Sequence, residues 1–443
     1  MSTELGPDHD FCFVHAADLH LDAPFKGVGQ AAPRIAEALR EASLHAFDSL
    51  VDLCIERRAA FLVVAGDVYD GPEHGLRAQL RFRDGLARLS AAGISSFVAH
   101  GNHDPVETGW SAVSSWPERV VIFPAGQVTT EAVERGGRQI ALVHGISFGR
   151  RDERENLALG FRRRGGPGVE VGVLHCNVGG TAGYDDYAPC SLEDLCSARL
   201  DYWALGHVHQ RTVLSGRAHS DEPFVVYSGN LQSRSLRQSE LGPKGATVVE
   251  VRAGRVASVE LVPCDKVRFE AVECDVTQLG SVSGLKECLE ALGGEVGSAT
   301  EGRSVVLRVH LVGRSALWSE LRRPGIVGEL LDLLRQGAEE ADPFLWWAEL
   351  RDESGPLLDL DELGAGGDFV GDLVRLGRGR TVAGETPGVE GLPVALRNRA
   401  LELWADERPA LLGEGLLTAL EALGAGAGAG SGPDVGSGAE DRG

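Results

Sequence analysis

The sequence predicts an α/β protein: a two-sheet sandwich, then a smaller α+β domain and C-terminal helices. Three observations carry this. Over the first hundred residues, short apolar runs alternate with stretches of helical periodicity, the pattern of a parallel sheet. Beyond residue 120 the apolar runs come closer together, so the sheet they build is expected to be mixed. After Cys264 the texture changes to a few strands around amphipathic helices.

Residues 11–16 read as a buried strand, and a helix is expected over 31–57, where Ile35, Leu39, Leu44, Phe47, Leu50, Val51 and Cys54 recur near helical spacing. Strands follow at 61–65 and 94–99, with a helix between them over 76–91. Further apolar runs fall at 120–123, 139–143, 169–174, 202–205 and 224–227. The runs 246–251 and 256–262 flank Ala253-Gly254 and read as a hairpin. Beyond residue 264, strands are expected at 268–276, 304–312 and 344–350, with helical stretches at 283–292 and 315–340, the latter interrupted at Pro324-Gly325. The expected domains are 1–264, 265–376, a linker at 377–392 rich in Gly, Thr, Pro and Glu, helices at 393–423, and a tail from 424. That tail is Gly, Ala, Ser and acid, too polar to bury a core.

The 443 residues are 43% hydrophobic and 24% charged, enough chain for about two or three soluble domains. No run of about 18 apolar residues suggests a membrane span, and the first ten residues lack the basic and apolar segments of a secretory signal. Eight cysteines form no Cys-x-x-Cys pair, so reduced thiols and a cytoplasmic location are expected. The formal charge is -22, of which -15 falls after residue 264. Bulk charge therefore argues against nonspecific DNA affinity, because phosphate contacts need Lys and Arg.

The chemistry lies at the strand ends. Asp18-x-His20 follows the first strand, Gly66-Asp67 the second, and Gly101-Asn102-His103-Asp104 the third; His175 and Gly206-His207-x-His209 end two later ones. Open α/β folds build sites beyond the carboxyl ends of their strands. A mixture of carboxylate, imidazole and one amide suits two Mn²⁺, Fe²⁺ or Zn²⁺ ions better than calcium or a thiolate-bound structural zinc. The candidate ligands are Asp18, His20, Asp67, Asn102, His175, His207 and His209. His103 is placed to protonate a leaving oxygen or stabilise developing charge, with Asp104 expected to orient its ring.

These motifs, in this order, resemble the calcineurin-like metallophosphoesterases over about residues 11–264. The stretches 17–25, 187–195, 202–210 and 242–245 are similar more narrowly to the bacterial DNA-repair exonucleases of the YhaO/SbcD type. That resemblance implies Asp67 bridging two ions; Asp18, His20 and His209 would complete one ion, and Asn102, His175 and His207 the other. It further implies manganese, cleavage of DNA phosphodiesters, a capping domain after Cys264, a homodimer, and terminal helices docking on an SbcC-like coiled-coil ATPase. A phosphatase or small-molecule phosphodiesterase on the same centre, and a non-catalytic scaffold, are the competing readings. Two positions depart from the family pattern. Asp70 stands where archaeal and eukaryotic relatives carry a catalytic histidine, and His74 reads as a solvated loop residue rather than its substitute. Ser228 stands where relatives often have Pro. Arg211, Arg234 and Arg237 are candidates for phosphate contacts, whereas the arginines of 150–164 read as a solvated loop diluted by acids. Of Trp346 and Trp347, strand alternation lets at most one face a partner. His15 and His144 read as structural.

Overall fold

The computed structural model describes residues 10–21, 23, 33–71, 75–107, 111–181, 183–218, 222–337 and 340–383, together with 413, 415–417, 419–420 and 423. His74 and most of the stretches 384–423 and 424–443 lie outside the described residues. The chain divides into two compact units. One comprises Met1–Ala271, Gly293–Arg308 and Arg335–Ala348; the other comprises Val272–Leu292, Val309–Leu334 and Glu349–Gly443.

The strands, in chain order, are β1 (Phe11–Ala16), β2 (Phe61–Ala65), β3 (Ser95–Ala99), β4 (Val120–Ile122), β5 (Thr129–Arg135), β6 (Arg138–Gly145), β7 (Val169–His175), β8 (Tyr202–Gly206), β9 (Thr212–Ser215), β10 (Phe224–Tyr227), β11 (Gly245–Arg252), β12 (Arg255–Pro263), β13 (Val267–Asp275), β14 (Ser304–Val312) and β15 (Leu345–Asp352). In the first unit, one six-stranded sheet has the order β12-β11-β1-β2-β3-β4 and a second has β5-β6-β7-β8-β10-β9. Strands β1 to β4 are parallel, and β11 and β12 add the expected hairpin antiparallel to β1. In the second sheet β6, β7, β8 and β10 are parallel, with antiparallel β5 and β9 at its edges.

Why these runs are continuously apolar follows from their surroundings. Along β1, Phe13 faces the space between the sheets while Val14 and Ala16 face the helices; along β2, Phe61, Val63 and Ala65 face inward and Leu62 and Val64 outward. A strand buried on both faces loses the polar half of its alternation. Phe13 stacks on Phe61 at 4.7 Å and meets Tyr202 of the opposite sheet edge-on at 5.2 Å. Each such buried ring contributes about 1.5–3 kcal/mol. The outer face of the first sheet is covered by α1 (Pro33–Glu56) and α2 (Leu76–Ala91), whose Phe47, Leu50, Phe82 and Leu86 are fully buried. The short α3 (Leu192–Ser197), closed by a capping box between Ser191 and Asp194, contributes Leu195 to the cluster on the second sheet's outer face.

Edge strands β5 and β9 have no counterpart in the sequence reading. Their residues Thr-Thr-Glu-Ala-Val-Glu-Arg and Thr-Val-Leu-Ser are largely unburied, so the polar composition of a sheet edge is indistinguishable from that of a loop. The third sheet has the order β13-β14-β15. Trp346 and Trp347 on β15 are both buried, and the Arg335 guanidinium lies over the Trp346 ring, which withdraws the possibility that either stacks on a base.

The helical stretch 315–340 is interrupted at Pro324-Gly325 as expected, into α5 (Trp318–Leu321) and α6 (Ile326–Arg335); between β13 and β14 lies α4 (Val282–Ala299). In the second unit α7 (Leu360–Ala365) precedes α8 (Phe369–Ala383). Helix α8 runs seven residues into the stretch 377–392 expected as linker. Its apolar positions Val370, Leu373 and Val374 pack with Leu358, Leu416 and Leu420, and that anchorage carries the helix past the glycines.

Candidate metal centre

The loops after β1 and β2 are laced together by main-chain hydrogen bonds. Asp18, His20 and Leu21 donate to the carbonyls of Gly66, Asp67 and Val68 at 3.0–3.1 Å. The geometry puts side chains where ordinary backbone would not: Asp18, His20, Asp67 and His207 have φ of 51°, 42°, 51° and 102°. Left-handed conformations of this kind cost non-glycine residues about 1–3 kcal/mol each and cluster at functional sites. Two motif glycines make the close approach possible. A Cβ on Gly206 would lie 1.8 Å from the Ala65 carbonyl oxygen, and one on Gly66, itself at φ +94°, would lie 2.2 Å from His175 Nδ1.

All seven candidate ligands converge. On one side, His20 Nε2 and His209 Nε2 face each other at 3.3 Å, with an Asp18 carboxylate oxygen near both. His209 Nδ1 contacts Glu240 Oε1 at 2.7 Å, and His20 Nδ1 contacts Asp70 Oδ1 at 3.0 Å. The carboxylate hydrogen-bonded behind His209 Nδ1 fixes that ring's tautomer and turns the Nε2 lone pair inward, the arrangement typical of metal-ligating histidines; among the described residues, His20 Nδ1 is buried beside Asp70 without a hydrogen bond. Glu240 is held in turn by the Asn230 side-chain amide and the Arg234 backbone N–H. Although burial opposes ionisation, the His209 contact holds its carboxyl down at about 2.

On the other side, His175 Nδ1 donates to the Ala65 carbonyl at 3.0 Å, leaving Nε2 3.0 Å from Asn102 Oδ1 and 3.6 Å from Asp67 Oδ2. His207 Nε2 donates to the Asp185 carbonyl at 2.8 Å, which leaves Nδ1 as its lone-pair atom. Asp67 lies between the two sides, 3.8 Å from His20 Nε2, and accepts the His103 backbone N–H. The Asp18 carboxylate accepts the His207 N–H through both oxygens.

The donor set fits divalent cations. Burial lowers the basicity of His20 and His209, and burial together with neighbouring His175 lowers His207 to about 4, so these rings present lone pairs rather than protons. Burial and the nearby Asp67 push Asp18 well above the usual carboxylate range; burial also works against Asp67, but His175, His103 and His20 hold its carboxyl below that range. Two buried acids and inward-facing imine nitrogens repel one another in the absence of positive charge between them, and mixed N/O donors suit first-row divalent metals.

His103, next to these ligands, lines an open cleft of about 730 Å³ together with Tyr184, Asp185, Arg234 and Arg237. The expectation that Asp104 orients His103 is corrected. Asp104 is buried and accepts the N–H groups of Val68, Tyr69 and Gly101 and contacts His100 Nδ1, so it braces the second and third strand-end loops against each other. His103 Nδ1 instead meets the Asp70 carbonyl at 2.9 Å, because the ring points away from Asp104 toward the Asp70 loop. Sequence reasoning did not find Glu240, Tyr184 or the supporting role of Asp70. A single acid or tyrosine in a polar loop carries no periodic or spacing signal, and these act only through histidines distant along the chain. The tyrosine hydroxyl accepts the His209 N–H at 3.1 Å. Arg150, Arg154 and Arg163 are engaged with Glu153, Asp152 and Asp201, in keeping with a solvated loop. His15 meets the Tyr202 hydroxyl, and His144 lies between Thr130 and Glu170, both as structural groups.

Residues 12–211 match the family described as calcineurin-like phosphoesterase, and residues 269–355 match that described as metallophosphoesterase YhaO, middle domain. The metallophosphoesterase YhaO of Bacillus subtilis (strain 168) is 33% identical over 345 residues, covering 78% of this chain and 82% of the relative. DNA double-strand break repair proteins Mre11 are similar at lower identity. That of Aeropyrum pernix is 26% identical over 282 residues, 61% of this chain and 64% of its own length. That of Thermoplasma acidophilum is 26% identical over 226 residues, 48% and 56% respectively. The chain belongs to the calcineurin-like metallophosphoesterases, within the YhaO family.

Proposed function

We propose that the protein is a dinuclear-metal nuclease that hydrolyses DNA phosphodiesters in repair. The observation that carries this reading is the convergence of Asp18, His20, Asp67, Asn102, His175, His207 and His209 below an open cleft, in a chain with Mre11 relatives. Asp18, His20, Asp67 and His209 would hold one cation and Asp67, Asn102, His175 and His207 the other, with Mn²⁺ the proposed ion. Two such cations, when bound, supply Lewis acidity to a phosphoryl group and lower the pKa of water. The protein's own part is positional. Glu240 and the Ala65 and Asp185 carbonyls keep imidazole lone pairs aimed inward, and His103 delivers a proton to the leaving oxygen from the cleft wall.

The wider reading places a capping domain at 265–376, selecting DNA structure, and docks the terminal helices on an SbcC-like ATPase. A homodimer in the cytoplasm belongs to the same proposal. Among the described residues no helix is long and apolar enough to cross a membrane. The test offers purified protein linear duplex DNA, single strands and an aryl phosphodiester, each with Mn²⁺ and with chelator. DNA degradation that disappears in Asp67→Asn is the expected result. Cleavage of the small diester alone would replace the nuclease with a small-molecule phosphodiesterase, and metal binding without turnover would leave a scaffold.

A further inference from the structure

Asp70, three residues after the Gly-Asp aspartate, stands where archaeal and eukaryotic relatives carry a histidine, and its surroundings are well defined. Asp70 Oδ1 lies 3.0 Å from His20 Nδ1, 3.5 Å from His103 Nδ1 and 2.6 Å from Arg234 Nη1. One carboxylate therefore draws an arginine from a loop 164 residues away to the side of the candidate metal centre. The guanidinium is four-fifths buried, yet it lines the cleft beside His103 and His209. Its Nε is buried without a hydrogen-bond partner, and among the described residues the only acceptor on the whole group is Asp70. A buried donor left unpaired costs about 1–3 kcal/mol, so a purely structural tie between two loops leaves much of this fork unused.

We propose that Arg234 is the phosphate-holding residue of this site, its fork fixed by Asp70 so that the remaining N–H groups grip a non-bridging oxygen of the scissile phosphodiester. This rests on the reading of the site as a phosphodiesterase. A planar guanidinium suits phosphate oxygens better than an ammonium point charge. Asp70 is a positioning residue: it touches Arg234 and the histidines but not the substrate.

The experiment measures inorganic phosphate binding to the Mn²⁺-loaded full chain by calorimetry, alongside steady-state hydrolysis of bis(p-nitrophenyl) phosphate. Arg234→Gln is expected to weaken phosphate binding about tenfold or more and to lower kcat/KM about a hundredfold, with Mn²⁺ stoichiometry and melting temperature unchanged. Arg234→Lys is expected to recover only part of the loss. Asp70→Asn, which frees the fork without removing it, should give an intermediate phosphate affinity and shift KM more than Arg234→Lys does. Unchanged phosphate affinity in Arg234→Gln overturns the proposal, as does full recovery by lysine. If Arg234→Gln loses its fold, the Asp70→Asn result decides. Absence of turnover in the unmodified protein would count against the phosphodiesterase reading alone, because phosphate binding still reports on Arg234.

Discussion

The two sides of the candidate metal centre are built by different means. Behind His20 and His209 stand the carboxylates of Asp70 and Glu240; behind His175 and His207 stand the main-chain carbonyls of Ala65 and Asp185. The Glu240 carboxylate raises the basicity of His209 against its burial, and a carboxylate brings a full negative charge where a carbonyl brings only a dipole. The first side can be tuned by a single side-chain substitution. The second is locked into the sheet and its loops, and only a change of backbone reaches it.

The largest expected effect ignores this difference. Asp67→Asn removes the charge shared by both sides, and Mn²⁺-dependent phosphodiester hydrolysis should fall to background while circular dichroism stays native; residual turnover near the unmodified rate would remove Asp67 from the centre. Next comes His103→Asn, which should keep both ions, counted by calorimetric Mn²⁺ titration, while kcat drops about 10²–10⁴-fold. Full turnover would take His103 out of proton transfer. Glu240→Gln sharpens the comparison itself: affinity for one ion should fall about 10–100-fold and the other remain within a few fold. Equal weakening of both would mean the sides do not act separately.

The smallest effect is on stability. Burial holds His15 neutral down to about pH 3, below its ordinary 6.5 in the unfolded chain. The unfolded state therefore binds the extra proton between those values, and stability is full above about pH 6.5 and is lost as pH falls toward 3. His15→Leu should remove that acid limb, worth about 3 kcal/mol at pH 4. Thermal melts of the two proteins at pH 7 and pH 4 measure it, and equal losses in both would assign the limb to other groups.

The candidate ligand side chains were legible in the sequence because each ends an apolar strand or lies within four residues beyond one, and strand ends converge by topology alone. Their supports were not. Glu240 reaches His209 across 31 residues and Arg234 reaches Asp70 across 164, distances at which no local pattern survives. Asp104 shows the opposite error: adjacency to His103 in the motif suggested contact, but successive residues of a tight loop point in different directions, and the carboxylate turns inward to cap N–H groups. Buried strands and amphipathic helices gave their bounds to within a few residues. Edge strands β5 and β9, with one face in water, gave no clean alternation, and α8 depended on partners distant along the chain.

Four candidate ligand residues sit in left-handed backbone, a conformational load of about 1–3 kcal/mol each. Any cation that binds only the native arrangement offsets that load through linkage: at a hundred times its dissociation constant, one site adds about 2.7 kcal/mol to the free energy of unfolding. The melting temperature of this protein should then rise with free metal concentration, so that its folded fraction becomes a gauge of cation supply.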